Sequence, residues 1–253
     1  KLRMLPPREK ILTCAICGIE SEHWIGDNSH TNFGQPDLDL RPPEMGRRLI
    51  GRLVQRCPEC GYCASEIDAD IMLQERSEEE FEEFVDDTGE VYYLNFKFDE
   101  YLDDVSQIVY SSAYKAQLND PNYPEKANSF LCAAFIETEL DNCIEAIWHT
   151  MNASWICDDK KKKNAAKSCR KKTLALIEIA HNKNLRVIEG DESDAPLQVD
   201  LLRRVGKFKE AQEIISNELP KIENKKLVSI LNYQEKLLKN KDNKCRRIPD
   251  DDD

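Results

Sequence analysis

The sequence predicts an α+β, mostly α protein: a small N-terminal ribbon closed by cysteines, then a long helical region. Three observations predict it. Two C-x-x-C-G runs, Cys14-Ala-Ile-Cys17-Gly18 and Cys57-Pro-Glu-Cys60-Gly61, lie in the first quarter of the chain. From about residue 99 onward, apolar residues recur at three- and four-residue spacing, the period of an amphipathic helix. Extended patterns are short and precede that region. The boundaries that follow are a ribbon over 1–70, a helical unit over 71–245 with an acidic first part, and an acidic tail over 246–253 read as disordered.

Two thiolates one tight turn apart make a metal knuckle, and glycine after the second cysteine allows the positive φ of such a turn. Two knuckles supply four ligands, which is what tetrahedral zinc takes. Cys14, Cys17, Cys57 and Cys60 are therefore the expected ligands of one structural Zn2+. A dithiol redox pair is the competing reading, and the absence of a βαβ pattern argues against it. Cys63 is a fifth thiol that either packs as a small apolar residue, the preferred reading, or replaces Cys60. His23 and His30 are paper alternatives in a shell that four sulfurs already complete.

The 39 residues between the knuckles exceed an ordinary loop and must be folded or pinned. Pro36, Pro42, Pro43 and Gly34 forbid a continuous helix or central strand, so an ordered loop is expected. Asp37 and Asp39 would cap its turns or pair with Arg41. A small binding site using these three side chains is the alternative. Leu49–Arg56 reads as a ribbon strand abutting the second knuckle, although Arg48, Arg52 and Arg56 repeat every four.

In the acidic middle, Ser77-Glu78-Glu79-Glu80 reads as a capping box opening a short helix through Phe81, Phe84 and Val85. Tyr92, Leu94, Phe96 and Phe98 alternate like a strand, and a helix follows over 99–118. Pro124-Glu125 opens the next helix. Ile144, Ile147, Trp148, Met151 and Trp155 form the inner stripe of another, with both tryptophans read as core. Asp158-Asp159 and Lys160–Lys163 mark a turn into a further helix, Gly190–Ala195 a polar linker, and a last helix spans 224–239. Cys132, Cys143, Cys157, Cys169 and Cys245 lack ligand spacing, so most are expected to be buried. Between them, Leu201-Leu202-Arg203-Arg204-Val205-Gly206-Lys207-Phe208-Lys209-Glu210-Ala211 resembles the centre of a tetratricopeptide-repeat hairpin, with Gly206 ending one helix and Ala211 packing on it.

Taken together, the knuckles, the run Pro36-Asp37-Leu38-Asp39-Leu40-Arg41-Pro42-Pro43-Glu44-Met45, the run Gln55–Ala64, Tyr123-Pro124, Phe130-Leu131-Cys132, Trp155–Asp159 and the Gly206–Ala211 hairpin resemble a bacterial family, domain of unknown function 2225. The resemblance implies a zinc ribbon joined to tetratricopeptide-like helices. It implies no activity.

Charge placement bounds the partners. The net charge is −12, with 17 Asp/Glu against 3 Lys/Arg in residues 64–123, but 8 against 9 in 1–63 and 23 against 24 in 124–253. The middle segment would repel nucleic acid and anionic membranes. No apolar run approaches the ~20 residues of a membrane span, and Lys1–Pro7 carries no signal-peptide core. Ten cysteines without a secretion signal point to the reducing cytoplasm. The expected function is protein or peptide binding on a scaffold with structural zinc. Weak nucleic-acid binding through Arg47, Arg48, Arg52 and Arg56 is one alternative. An enzyme site at the ribbon–helix junction, using Asp37, Asp39 and Arg41, is the other.

Overall fold

The computed structural model describes residues 8–25, 34–68, 71–72, 82–85, 91–94 and 96–249. The described chain is mostly helical, with three small two-stranded sheets. Strands β1 (Arg8–Thr13) and β2 (Glu20–Ile25) pair antiparallel around the first knuckle, with Thr13 opposite Glu20 and Arg8 opposite Ile25. Helix α1 (Glu44–Ile50) follows the proline loop. Strands β3 (Gln55–Arg56) and β4 (Cys63–Ala64) flank the second knuckle.

Three sequence expectations are corrected here. Leu49–Arg56 is not one strand: Leu49 and Ile50 finish α1, and only Gln55–Arg56 is extended. Pro43 sits at the N-cap, where its missing N–H costs no hydrogen bond, and Glu44 lies in the positively polarised first turn. The four-residue arginine spacing did not mark one helix either: Arg48 lies in α1, Arg52 in the turn after it and Arg56 in β3. The helix expected over Phe81–Val85 is instead strand β5 (Glu82–Val85), paired with β6 (Val91–Leu94) in a register setting Phe84 opposite Tyr92. The capping box at Ser77, Phe81 itself, His30 and Asp250–Asp253 lie outside the described residues. The disordered tail expected over 246–253 is corrected in its first part: Ile248 is buried and its amide donates to the Pro36 carbonyl at 2.9 Å, while the Leu38 amide donates to the Arg246 carbonyl at 2.8 Å.

Helix α2 (Phe96–Tyr110) begins earlier than expected, and Ser111 separates it from α3 (Ser112–Leu118). The Ser111 hydroxyl accepts from the Tyr114 amide at 3.2 Å, which caps the new helix. Then come α4 (Glu125–Glu139), α5 (Cys143–Asp159), α6 (Lys163–Asn182), α7 (Ala195–Val205), α8 (Phe208–Glu218), a 3-10 turn (Leu219–Lys221) and α9 (Lys225–Lys239). Helix α5 lies between α4 and α6 and is buried on nearly every side, so its apolar residues do not form a single narrow stripe.

Five helix ends share one device. Asp141, Lys161, Asn184, Gly206 and Lys241 take positive φ, and the next amide in each case donates five residues back: Asn142 to Glu137, Lys162 to Cys157, Leu185 to Ala180, Lys207 to Leu202 and Asp242 to Leu237. That is the Schellman closure, and it turns the chain into the following antiparallel helix or segment. Gly206 ends α7 at φ 86°, and Ala211 is fully buried where α8 packs back on it. The predicted helical hairpin is therefore present.

One buried cluster runs from Leu12, Val54, Cys57 and Tyr62 of the ribbon through Phe130, Ile147, Met151, Cys157 and Ile177 of the helices. A second, around Val199, Ala211, Ile215 and Leu231, belongs to α7–α9. No helix among the described residues is long and apolar enough to cross a membrane.

Candidate metal centre

The two knuckles fold identically. The Gly18 amide donates to the Cys14 carbonyl at 2.8 Å, and the Cys14 amide to the Ile19 carbonyl at 3.0 Å. The Gly61 amide donates to the Cys57 carbonyl at 3.1 Å, and the Cys57 amide to the Tyr62 carbonyl at 2.9 Å. Both glycines take positive φ. Gly61 has a second constraint, since a Cβ there would meet Leu118 Cδ2 at 2.5 Å. The close approach lets the second knuckle dock on α3: the Tyr114 hydroxyl donates to the Gly61 carbonyl at 2.9 Å, and Lys115 Nζ to the Cys60 carbonyl. From the other side, the Ala15 amide donates to Ile67 and the Thr13 amide to the Asp68 carboxylate, each at 2.8 Å.

These constraints bring Cys14, Cys17, Cys57 and Cys60 together, with all four sulfurs within 4.8 Å of one another. The cross-knuckle pairs are closer: Cys14–Cys60 at 3.7 Å and Cys17–Cys57 at 3.6 Å. A tetrahedron with metal–sulfur bonds of about 2.3 Å has edges of about 3.8 Å, so the cluster is sized for one ion. The electrostatics agree. The hydrogen bond with Cys60 holds Cys14 down to about 5, while the same contact and burial push the Cys60 thiol up. One sulfur ionises at its neighbour's expense, and four thiolates at this spacing require a cation. The set can hold a metal ion. The Tyr62 amide lies 3.4 Å from Cys60 Sγ, an N–H···S contact suited to a ligating sulfur.

Cys63 is fully buried, with its thiol 3.3 Å from the Gly61 carbonyl and outside the four-sulfur set. His23 bonds Ser21 on β2. Cys132, Cys143, Cys157 and Cys169 are buried, whereas Cys245 is exposed and donates to Asp37 at 3.1 Å.

The proline loop finds partners far along the chain. Asp37 pairs with Arg47 at 2.7 Å. Arg41 meets Asp159 at 2.6 Å. Asp39, 1 % exposed, lies 3.4 Å from Arg170 and 3.5 Å from Arg204, and both arginines also hold Asp158, at 2.5 and 2.8 Å. The local Asp39–Arg41 contact is only a 3.4 Å bond to the Arg41 amide. The loop is thus a clamp on the C-terminal ends of α5 and α7 and on the body of α6, and its three side chains are consumed in ion pairs. Asp158 and Asp159 close α5 at the negative end of its dipole, which the arginines offset.

Two cavities flank the ribbon–helix junction. A groove of about 740 Å³ is lined by Trp24, Arg48, Arg52, Arg56 and Lys126, with Glu22 and Glu125 opposite in sign. Arg52 lies over the Trp24 ring at 5.6 Å. Arg47 turns away, to Asp37 and the Pro42 carbonyl. The second cavity, about 410 Å³, lies between α5 and the α1–β3 segment. Its α5 wall is Glu145, Trp148, His149 and Asn152, spaced as one helix face. Trp148, expected in the core, is thus half in a cavity wall, while Trp155 is 4 % exposed. The signal for this wall was two polar residues, His149 and Asn152, set among the apolar positions of α5.

Burial drives His149 down to about 4 from its ordinary 6.5, leaving the imidazole neutral. The folded value lies below the unfolded one, so acidification protonates the unfolded chain first. Stability should therefore fall by about 2 kcal/mol between pH 7.5 and 5 on account of this group. Urea unfolding at both pH values checks this, and His149→Phe is expected to remove that part of the slope. Arg52, Glu66 and Glu145 line the same cavity as His149.

No family model matches the chain, nor does any curated protein or solved structure.

Proposed function

We propose that zinc fills the four-thiolate cluster as a structural ion, and that the protein is a binding module for an acidic protein segment. Four thiolates leave no open coordination position, which supports a structural role for the metal over a catalytic one. Ten unpaired thiols suit a reducing, cytoplasmic setting. The resemblance to domain of unknown function 2225 and the α7–α8 hairpin support a zinc ribbon joined to tetratricopeptide-like helices.

One observation carries the binding reading. In a chain of net charge −12, Arg48, Arg52, Arg56 and Lys126 gather along one groove beside Trp24, which is 51 % exposed. Concentrated positive charge with an exposed aromatic is the footprint of an anionic partner. A second reading, single-stranded nucleic acid on the same groove, is favoured by the Arg52–Trp24 pair, which offers a stacking platform.

Fluorescence anisotropy with a labelled glutamate-rich peptide and a single-stranded oligonucleotide of equal charge separates the two. The peptide should bind, and R48A/R52A/R56A should weaken it about tenfold, since exposed Arg48 and half-buried Arg52 and Arg56, the last also paired with Glu125 at 3.4 Å, contribute up to ~1 kcal/mol each against the ~1.4 kcal/mol of one decade. Binding of the oligonucleotide alone would favour the second reading. Binding untouched by the triple substitution would reject the groove.

A further inference from the structure

We propose that the cavity between α5 and the α1–β3 segment binds a nucleobase, with Arg52 at its edge placed to take the attached phosphate. A helix face packed against a neighbouring element ordinarily carries apolar side chains. This one carries His149 and Asn152, 6 % and 8 % exposed. Asn152 donates its amide to the Trp148 carbonyl at 2.7 Å, but its Oδ1 has no hydrogen-bond partner. His149 touches Phe130, ring centroids 6.0 Å apart, and makes no hydrogen bond with a described residue. Across the cavity, Gln55 accepts from the Ile67 amide through Oε1 at 3.2 Å, which leaves its Nε2 as a donor. A buried polar group without a partner destabilises the fold, so a face that keeps Asn152 Oδ1 unpaired calls for something to complete it.

The chemistry of that complement follows from the lining. Trp148, Phe130, Leu49 and Leu53 supply flat and apolar walls. Asn152 supplies an acceptor, Gln55 a donor, and neutral His149 one of each. None of these three carries charge; the charged linings are Arg52, Glu66 and Glu145. Glu66 is engaged by the amides of Ile67 and Asp68 at 2.9 and 2.8 Å. A flat, uncharged ring with alternating donors and acceptors matches, and a volume of about 410 Å³ admits it. Arg52 lines both this cavity and the arginine groove, so a phosphate on the base would leave the cavity toward Arg48 and Arg56. The proposal does not depend on the acidic-segment reading, because His149 and Asn152 do not line that groove.

Isothermal titration calorimetry on the full chain, with the four common nucleosides, their 5′-monophosphates, a single-stranded hexanucleotide and spermidine, tests it. At least one nucleoside or monophosphate should bind. Asn152→Leu and His149→Phe should each weaken it about tenfold, the loss of one hydrogen bond. Asn152→Leu should meanwhile melt no lower than the parent, because it removes an unpaired polar group. Arg52→Ala should weaken a monophosphate more than its nucleoside. Asn152-dependent binding of the hexanucleotide with silent monomers would also support the base site, with a strand as its source. Binding of spermidine only, no binding at all, or binding indifferent to both α5 substitutions would overturn the proposal.

Discussion

Cys57→Ala should abolish metal binding and unfold the ribbon. Structural zinc contributes on the order of 10 kcal/mol in small zinc peptides, comparable with the whole stability of a domain. The damage should not stop at the ribbon. Cys57, Cys60 and Tyr62 belong to the same buried cluster as Phe130, Met151 and Cys157, and the second knuckle is docked on Tyr114 and Leu118. Helices α7–α9 have a separate cluster around Val199, Ala211 and Leu231. Hydrogen exchange on the variant should thus show lost protection over residues 8–25 and 34–68 and in α3, with protection kept in α7–α9. Full protection of the ribbon in the metal-free variant would mean that the sulfurs are not what holds it.

Asp39→Ala should cost about 3–5 kcal/mol in urea unfolding, the range for breaking a buried ion pair from one side. The carboxylate is 1 % exposed, and its removal leaves Arg170 and Arg204, themselves 3 % and 8 % exposed, with Asp158 as their remaining close counter-ion. Asp39→Asn should cost nearly as much, because the charge and not the shape is what the arginines need. A loss below 1 kcal/mol would mean that the clamp is incidental. Asp158 gives the clamp an acid limit. Burial opposes its ionisation, but hydrogen bonds and charge from Arg170 and Arg204 outweigh that and hold its carboxyl below the ordinary 3.8. A depressed folded value means that its stabilisation is intact above about pH 4 and is lost as pH falls through the folded value. Asp158→Asn should flatten that part of the acid limb.

How legible each feature was depended on its reach along the chain. Each knuckle is complete within five residues, so spacing alone found Cys14, Cys17, Cys57 and Cys60. The helices from α4 onward were legible because their apolar period is local. The partners of Asp37, Asp39 and Arg41 were not: Arg41 and Asp159 are 118 positions apart, and Asp39 and Arg204 are 165. Turn chemistry accounted for the same residues equally well. The helix ends at Asp141, Lys161 and Lys241 lack the glycine that signals a left-handed cap, and only Gly206 displayed it. Glu82–Val85 became a strand because Val91–Leu94 pairs with it in a hairpin, a cross-strand term that a capping box does not carry. The α5 cavity left a trace in His149 and Asn152, but its meaning depends on what faces them across the gap.

The proposed zinc ion closes the N-terminal unit through four cysteines. Metal content per chain, measured by elemental mass spectrometry on reduced wild-type protein and on Cys57→Ala, tests it most directly. One zinc per chain in the wild type and none in the variant is the predicted result. Folded, reduced wild-type protein without metal would rule out a structural zinc and leave the two cysteine pairs as candidates for thiol exchange.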